Sequence, residues 1–324
     1  MLARTLVPLP PAPLPDRLYI AIDGTGVPMV GAETTGRAGK AADGRARTRE
    51  VKLACVFTQT TVNQDGHPVR DPGSSSYLAT FAPAHEFGSL MAAEAHRRGA
   101  EHVRQLVVLG DGAPWIWALA TAHYPAGTQI VDLYHAREHL HDLAGLAGLV
   151  NGDDHPAWTA DRLTELDDGD IEAILTAARD LPLVGIKATE RDKALGYFET
   201  NAVRMRYAHY RRFGMFIGSG AVEAGRKAVV GQRLKPSGMR WSQPGATGIL
   251  TPRCQQAAAG KRSGHRSTTR QTALTSTSAD PDRATYKTLA HPAQIGVVAS
   301  HARHVVVIQG GLGRAPTWSG DCEA

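Results

Sequence analysis

The sequence predicts an α/β protein, a mixed sheet with helices on its faces. Three observations carry that expectation. Short apolar, β-branched runs come first; strand-to-helix units follow; and the polar breaks between them fall at Gly, Pro and Asp. The run LYIAIDG at 18–24 reads as the first strand, EVKLACVFTQT at 50–60 as the second, and SYLATFA at 76–82 as the third. Between the first two lies GAETTGRAGKAADGRARTR, an exposed loop or hairpin extension carrying Arg37, Lys40, Arg45, Arg47 and Arg49. PAHEFGSLMAAEAHRRGA then has helical periodicity. QLVVLGDGAPWIWALA is a strand that breaks at Gly110-Asp111-Gly112 and resumes as a helix, and QIVDLYHAREHLHDLAGL repeats that change. The order β-β-β-α-β-α-β-α demands antiparallel strands followed by crossover units in one sheet.

Residues 136 to about 215 read as almost wholly helical, with amphipathic segments near DGDIEAILTAARDL and ERDKALGYFETNAVRMRYAHYRRF. GSGAVEAGRKAVVGQRLK reads as a helix from Ala221, with Ser219 or Gly220 near its N-cap and Pro236 just beyond its end. Past Cys254 the chain turns polar and Ser/Thr/Arg-rich without periodicity, which predicts a disordered tail. Only QIGVVASHARHVVVIQG at 294–310 could form strands there.

A chain of 324 residues with 42% apolar side chains can bury a substantial core, in one large domain or two. The net charge of +5 is mild, but its placement is uneven, which favours a polyanionic partner such as nucleic acid. Cys55, Cys254 and Cys322 show no paired spacing, so neither a disulfide framework nor a thiolate zinc site is expected, and a cytoplasmic setting fits. No apolar run reaches the ~20 residues needed to span a bilayer, and the start MLARTLVPLPPAPLPDR has too many prolines for a signal-peptide core.

Three acids stand at Gly-rich breaks: Asp23 in IAIDGTGVP, Asp111 in VLGDGAPWIW, and Glu223 in GSGAVEAGRK. Glu223 is the single acid between residues 204 and 240, among nine Arg or Lys. Strand-end carboxylates beside glycines suit a hard cation, which keeps several waters for substrate phosphates. If the first and fourth strands are neighbours, Asp23 and Asp111 lie side by side and a helix-borne Glu completes the set. Taken singly each acid has a plainer reading, Asp-Gly as a turn signal and Glu223 as a first-turn residue favoured by the helix dipole. His135 and His139, one helical turn apart, could chelate zinc, but lacking a third ligand they are read with His141 as ordinary helix histidines. Trp115 and Trp117 are read as core, and Trp241 as the better candidate to contact DNA.

The motifs DGTGVP, TREVKLACVFTQT, GDGAPWIW, VDLYHAREHL and GSGAVEAGRKAVVGQRLKPSGMRW, over residues 18–254, resemble bacterial insertion-sequence transposases of the ISKra type. That family is related to the Mutator-like transposases. The resemblance implies an RNase H-like mixed five-stranded sheet flanked by helices, with an all-helical insertion before the last catalytic helix. It further implies that Asp23, Asp111 and Glu223 are a DDE triad holding two Mg2+ or Mn2+ ions, with Asp132 and His135 in support. DNA cleavage and 3′-hydroxyl strand transfer by a homo-oligomer on DNA, associated with the nucleoid, follow as expectations. Arg226, Lys227, Arg233, Lys235, Arg240 and Trp241 are the expected DNA contacts.

The resulting division is a linker or ragged start over 1–17, the first part of the catalytic core over 18–140, a helical insertion over 141–215, the final catalytic helix and basic segment over 216–254, and a low-order tail over 255–324. The change of character after about residue 254 is read as a frameshift or truncation. The alternative function is an inactive transposase remnant that at most binds DNA. A haloacid-dehalogenase-like phosphatase is disfavoured, because its nucleophile would stand two residues before Asp23, where this chain has Ala21.

Overall fold

The computed structural model describes residues 15–39 and 41–259. Lys40, most of the proline-rich start, the tail from residue 260, Cys322 and the apolar run at 294–310 lie outside the described residues.

In chain order, β1 (Arg17–Pro28) and β2 (Thr48–Gln59) are long, β3 (Thr61–Val62) and β4 (Pro68–Val69) form a small separate hairpin, and β5 (Ser76–Thr80) returns to the main sheet. Next come α1 (Ala84–Arg97), β6 (Gln105–Gly110), α2 (Pro114–His123) and β7 (Thr128–Val131). The five main strands lie in the order β5-β2-β1-β6-β7. β1 is antiparallel to β2 and parallel to β6, which makes the sheet mixed. As the central strand, β1 is covered on both faces; Leu18 to Ile22 are at most 1% exposed. That explains why LYIAI reads as a continuous apolar run rather than an alternation. Burying each of its large side chains stabilises the fold by about 1.5–3 kcal/mol.

The sequence expectation that the first strand ends at Asp23-Gly24 does not hold. β1 continues through DGTGVP, pairing Asp23 with Leu53 and Pro28 with Thr48. Alternation survives there: Thr25, Val27 and Met29 are buried, while Gly24 and Gly26 fit under Glu50 and Thr48 of β2. The glycines admit those neighbours instead of making a turn. The following loop carries a short 3-10 turn at Gly31–Glu33 and an isolated bridge between Ala38 and Arg45.

After β7 the chain is helical: α3 (Leu133–Asn151), α4 (His155–Asp168), α5 (Ile171–Arg179), α6 (Gly185–Asn201) and α7 (Tyr207–Arg212). α5 shows why these form. Asp170 caps it by accepting from the Ala173 N–H at 3.1 Å, and Ile171, Ile174 and Ala178 bury one face. Gly169 ends α4 at φ 80°, a conformation that glycine adopts freely.

A last helical run then begins with α8 (Gly220–Gly225), widens into a π-helical segment at Arg226–Gly231 and ends in α9 (Gln232–Leu234). α10 (Gln243–Ala259) packs on β5 and on the π segment. It is a helix where the sequence reading expected order to fade after residue 254. Among the described residues, no helix is long and apolar enough to cross a membrane.

Candidate active site

Side chains alternate along a strand, so Tyr19, Ala21 and Asp23 share one face of β1. On that face the Tyr19 ring stacks on Phe57 at 4.9 Å, and Phe216 meets both edge-on at 5.3 and 5.4 Å. The Phe216 N–H donates to the Tyr19 hydroxyl at 3.3 Å, and Gln59 Nε2 donates to the Gly214 carbonyl at 2.8 Å. This aromatic cluster lays the segment before α8 across the face that carries Asp23.

Asp111 follows the end of β6. The β1–β6 register runs Arg17 with Gln105 to Ala21 with Leu109, so two residues further on Asp23 is level with Asp111. Burial raises the Asp23 carboxyl above its usual value; the Arg226 guanidinium opposes this and the Asp111 charge adds to it. Arg226 Nε lies 3.3 Å from Asp23 Oδ2. A cation therefore already stands against Asp23, and it is a side chain. Asp111 Oδ1 accepts from the Ala113 N–H at 2.9 Å, and its carbonyl accepts from the Tyr197 hydroxyl at 2.9 Å. Gly112 has φ 101°, and a β-carbon there would meet Tyr197 at 2.5 Å. So α6, in the helical stretch, braces the turn that presents Asp111. Asn201 continues the brace, accepting from the Trp117 indole N–H at 2.7 Å.

Asp132 is buried and fully engaged. It caps α3, accepting from the backbone N–H groups of Tyr134 at 2.6 Å and His135 at 3.2 Å, and its other oxygen accepts from the Ser219 N–H. Its own N–H donates to Gly110 at 2.8 Å, and Leu133 N–H donates to Ile217 at 2.9 Å. One carboxylate thus joins the end of β6, the start of α3 and the start of α8. At 2% side-chain exposure it does not reach solvent, and its oxygens are spent on holding these elements together. Burial alone would push its pKa up, but the nearby His135 imidazole and the hydrogen bonding to Ser219 hold it below the usual carboxylate value. His135 Nδ1 is 3.8 Å from Asp132 Oδ1, an ion-pair distance without a hydrogen bond, and Asp132 raises the imidazole's pKa.

Glu223 lies in the first turn of α8, half exposed, with Oε1 2.9 Å from Lys227 Nζ one turn later. Lys227 first and Arg226 further hold its carboxyl below the ordinary value. Among the described residues, no group of three or more His, Cys, Asp or Glu is placed to hold a metal ion. The structure brings Asp23, Asp111, His135 and Arg226 into one electrostatic neighbourhood, while Glu223 faces Lys227. His139 stacks on Tyr197 at 3.7 Å.

The remaining basic residues divide. Lys235 donates to Thr25 on β1, and Arg226 pairs with Asp23, so the run from α8 to α9 lies along β1. Arg233 and Arg240 are exposed. Trp241 is half-buried, its indole N–H donating to Leu234 at 3.2 Å and its backbone pairing with Pro28 and Val30. Trp117 is buried beneath Arg204, 4.9 Å away, and Trp115 packs edge-on to Phe87. Two contributors escaped the sequence reading. Tyr197 carries no motif, and the Arg226 pairing with Asp23 joins residues distant in sequence.

No family model matches the chain, and no curated protein sequence does. Among solved structures it is similar to the Drosophila P element transposase strand transfer complex, at 15% identity and a TM-score of 0.24, over 58% of this chain. The match spans 50% of that structure's chain.

Proposed function

We propose that this chain is a DDE-type DNA transposase with an RNase H-like catalytic core. The observation that carries the reading is the level placement of Asp23 on β1 and Asp111 just past the end of the adjacent parallel β6, with Arg226 against Asp23. A carboxylate pair, one on a strand and one at the end of its neighbour, beside a basic helix matches what phosphoryl transfer asks of a protein: fixed acids for hard cations, and positive charge for the phosphate backbone.

The donor set fits Mg2+ or Mn2+ in part. Asp23 and Asp111 are oxygen donors at one place, and their mutual repulsion favours a cation. Glu223 would be the third ligand, which requires it to leave Lys227. Bound as a pair, such ions activate an attacking oxygen and stabilise the leaving one. The chain's own residues do the rest. Asp132 sets the start of α8, which carries Glu223, and Tyr197 holds the Asp111 turn. Arg226 and Lys227, released from their acids, become available to phosphate. Arg233, Lys235 and Arg240 add charge for duplex DNA, and Trp241 flanks them. Cleavage by water followed by 3′-hydroxyl attack on a second DNA is the proposed chemistry, carried out by copies of the chain assembled on DNA ends.

The test is cleavage and strand transfer on duplex DNA taken from both flanks of the coding sequence, with Mg2+ or Mn2+. Asp23→Asn and Asp111→Asn are expected to lose activity by on the order of 10²-fold or more, since each removes transition-state stabilisation worth several kcal/mol. Wild-type activity in either variant would refute the reading. Unchanged activity in Glu223→Gln would remove Glu223 from the metal site.

A further inference from the structure

A cleft of about 1090 Å3 opens beside the start of α8, lined there by Gly220, Ala221 and Ala224 but not by Glu223. Its walls are the β3–β4 hairpin, the first turn of α3, and the chain from α7 into α8. At roughly the upper end of the ~300–1,000 Å3 typical of small-molecule sites, it has room for a nucleotide or more. Its lining is largely apolar, and its charged members are mostly basic: Arg70, Arg137, Arg211 and Arg212 against Asp65. Arg137 and Arg211 converge on Asp167, at 2.6 and 3.2 Å, which fixes their positions in the wall. Tyr134, in the first turn of α3, is 64% exposed, with one ring edge against Gly218.

The walls are firmly held. Asp71 accepts from Thr58 Oγ1 at 2.6 Å, Thr60 N at 3.0 Å and Thr60 Oγ1 at 2.9 Å, which ties the base of the hairpin. Val62 of the hairpin packs so closely on Gly214 that a β-carbon there would come within 2.6 Å. A rigid basic groove with an outstanding aromatic ring is the pattern that binds single-stranded nucleic acid, arginines following the backbone and the ring stacking on a base. An acidic peptide would use the arginines but would leave the Tyr134 ring without a role.

We propose that this cleft binds a single DNA strand, with a base stacked on Tyr134 and phosphates held by Arg70 and Arg212. The proposal rests on the reading that the chain handles DNA, and it gives that activity a place for an unpaired strand beside the Asp132 junction. It requires no metal.

The experiment is fluorescence anisotropy of a labelled single-stranded oligonucleotide, and of the same sequence as a duplex, with the full chain in EDTA. Tyr134→Ala is expected to weaken single-strand binding by about 5- to 150-fold, the range equivalent to ~1–3 kcal/mol of stacking, and Tyr134→Phe to keep it. Arg212→Ala should weaken it and reduce the salt slope by about one phosphate contact. Duplex binding should change little in all three. Single-strand affinity unaltered by Tyr134→Ala and Arg212→Ala would overturn the proposal, as would competition by polyglutamate as effective as that by oligonucleotide. DNA cleavage by a protein whose single-strand affinity ignores both substitutions would leave the catalytic reading standing and remove this one.

Discussion

Replacing Asp132 by Asn keeps the side chain's size but exchanges one acceptor oxygen for a donor. The remaining oxygen can still cap α3 through Tyr134 and His135. The new amide would then face the Ser219 N–H, placing two donors against each other inside the protein. A buried donor left unsatisfied costs about 1–3 kcal/mol, so Asp132→Asn should lower unfolding free energy by that amount at neutral pH. Asp132→Ala also removes the cap, worth about 1 kcal/mol, for a total of about 2–4 kcal/mol. Urea denaturation followed by far-UV circular dichroism reads both values. The pH dependence adds a signature. The Asp132 pKa is depressed in the folded state, so its stabilisation is complete above the unfolded value of about 3.9 and is lost as pH falls through the folded one. The deficit of Asp132→Asn should therefore shrink in acid. His135 behaves in the opposite sense. Its pKa is raised, so its contribution is full below about 6.5 and is lost as pH rises through the folded value, and in Asp132→Asn its imidazole should titrate lower by NMR. An Asp132→Asn protein as stable as the parent across this range would refute the junction.

Three further outcomes follow from close contacts. Gly225 lies against Tyr77 so tightly that a β-carbon would sit 2.2 Å from its ring, so Gly225→Ala should cost about 1–3 kcal/mol, whereas in a Tyr77→Ala background the same change should cost nothing or stabilise; denaturant midpoints decide. Gly112→Ala meets both a φ of 101° and Tyr197, and should destabilise by about 1–3 kcal/mol with only partial relief from Tyr197→Ala, because the backbone strain remains. Arg226→Ala removes the guanidinium that opposes the upward shift of Asp23, so the Asp23 carboxyl should titrate at still higher pH without metal; carbon-13 NMR of the side chain would show no change if the pairing were incidental.

The sheet could be read from sequence because its strands are short apolar runs separated by polar breaks, and a local pattern identifies each. The end of β1 could not. Asp-Gly-Thr-Gly looks like a turn until the partner strand is known, and only the pairing with residues 48–53 of β2 shows that the glycines admit Glu50 and Thr48. The level placement of Asp23 and Asp111 was accessible as a conditional, since it needed only that the first and fourth strands be neighbours. The ion pairs of Arg226 and Lys227 followed different rules. Lys227 is four residues from Glu223, a spacing visible in any helix, whereas Arg226 meets an acid on a distant strand. The π-helical widening carries no local mark of its own, because its extra residue per turn is supported from outside: Arg253 of α10 donates to the Ala228 carbonyl at 2.9 Å. Tyr197 illustrates the same limit, a hydroxyl whose partner is a backbone carbonyl on another element.

The hydrogen bond from Leu133 to Ile217, with Asp132 holding Ser219 beside it, brings the start and the end of the long helical excursion together at one neck. Once a neck is pinned, the entropy of closing what lies beyond it grows only logarithmically, about 0.6 kcal/mol for each doubling of length. The excursion can therefore lengthen or shorten at little thermodynamic penalty to the sheet, provided that the neck and the contacts of Tyr197, Asn201 and Arg204 with Asp111, Trp117 and Gln129 are kept. Variation in this part of the molecule is thereby confined to what lies beyond the neck and beyond the contacts of Tyr197, Asn201 and Arg204 with the Asp111 turn, Trp117 and Gln129.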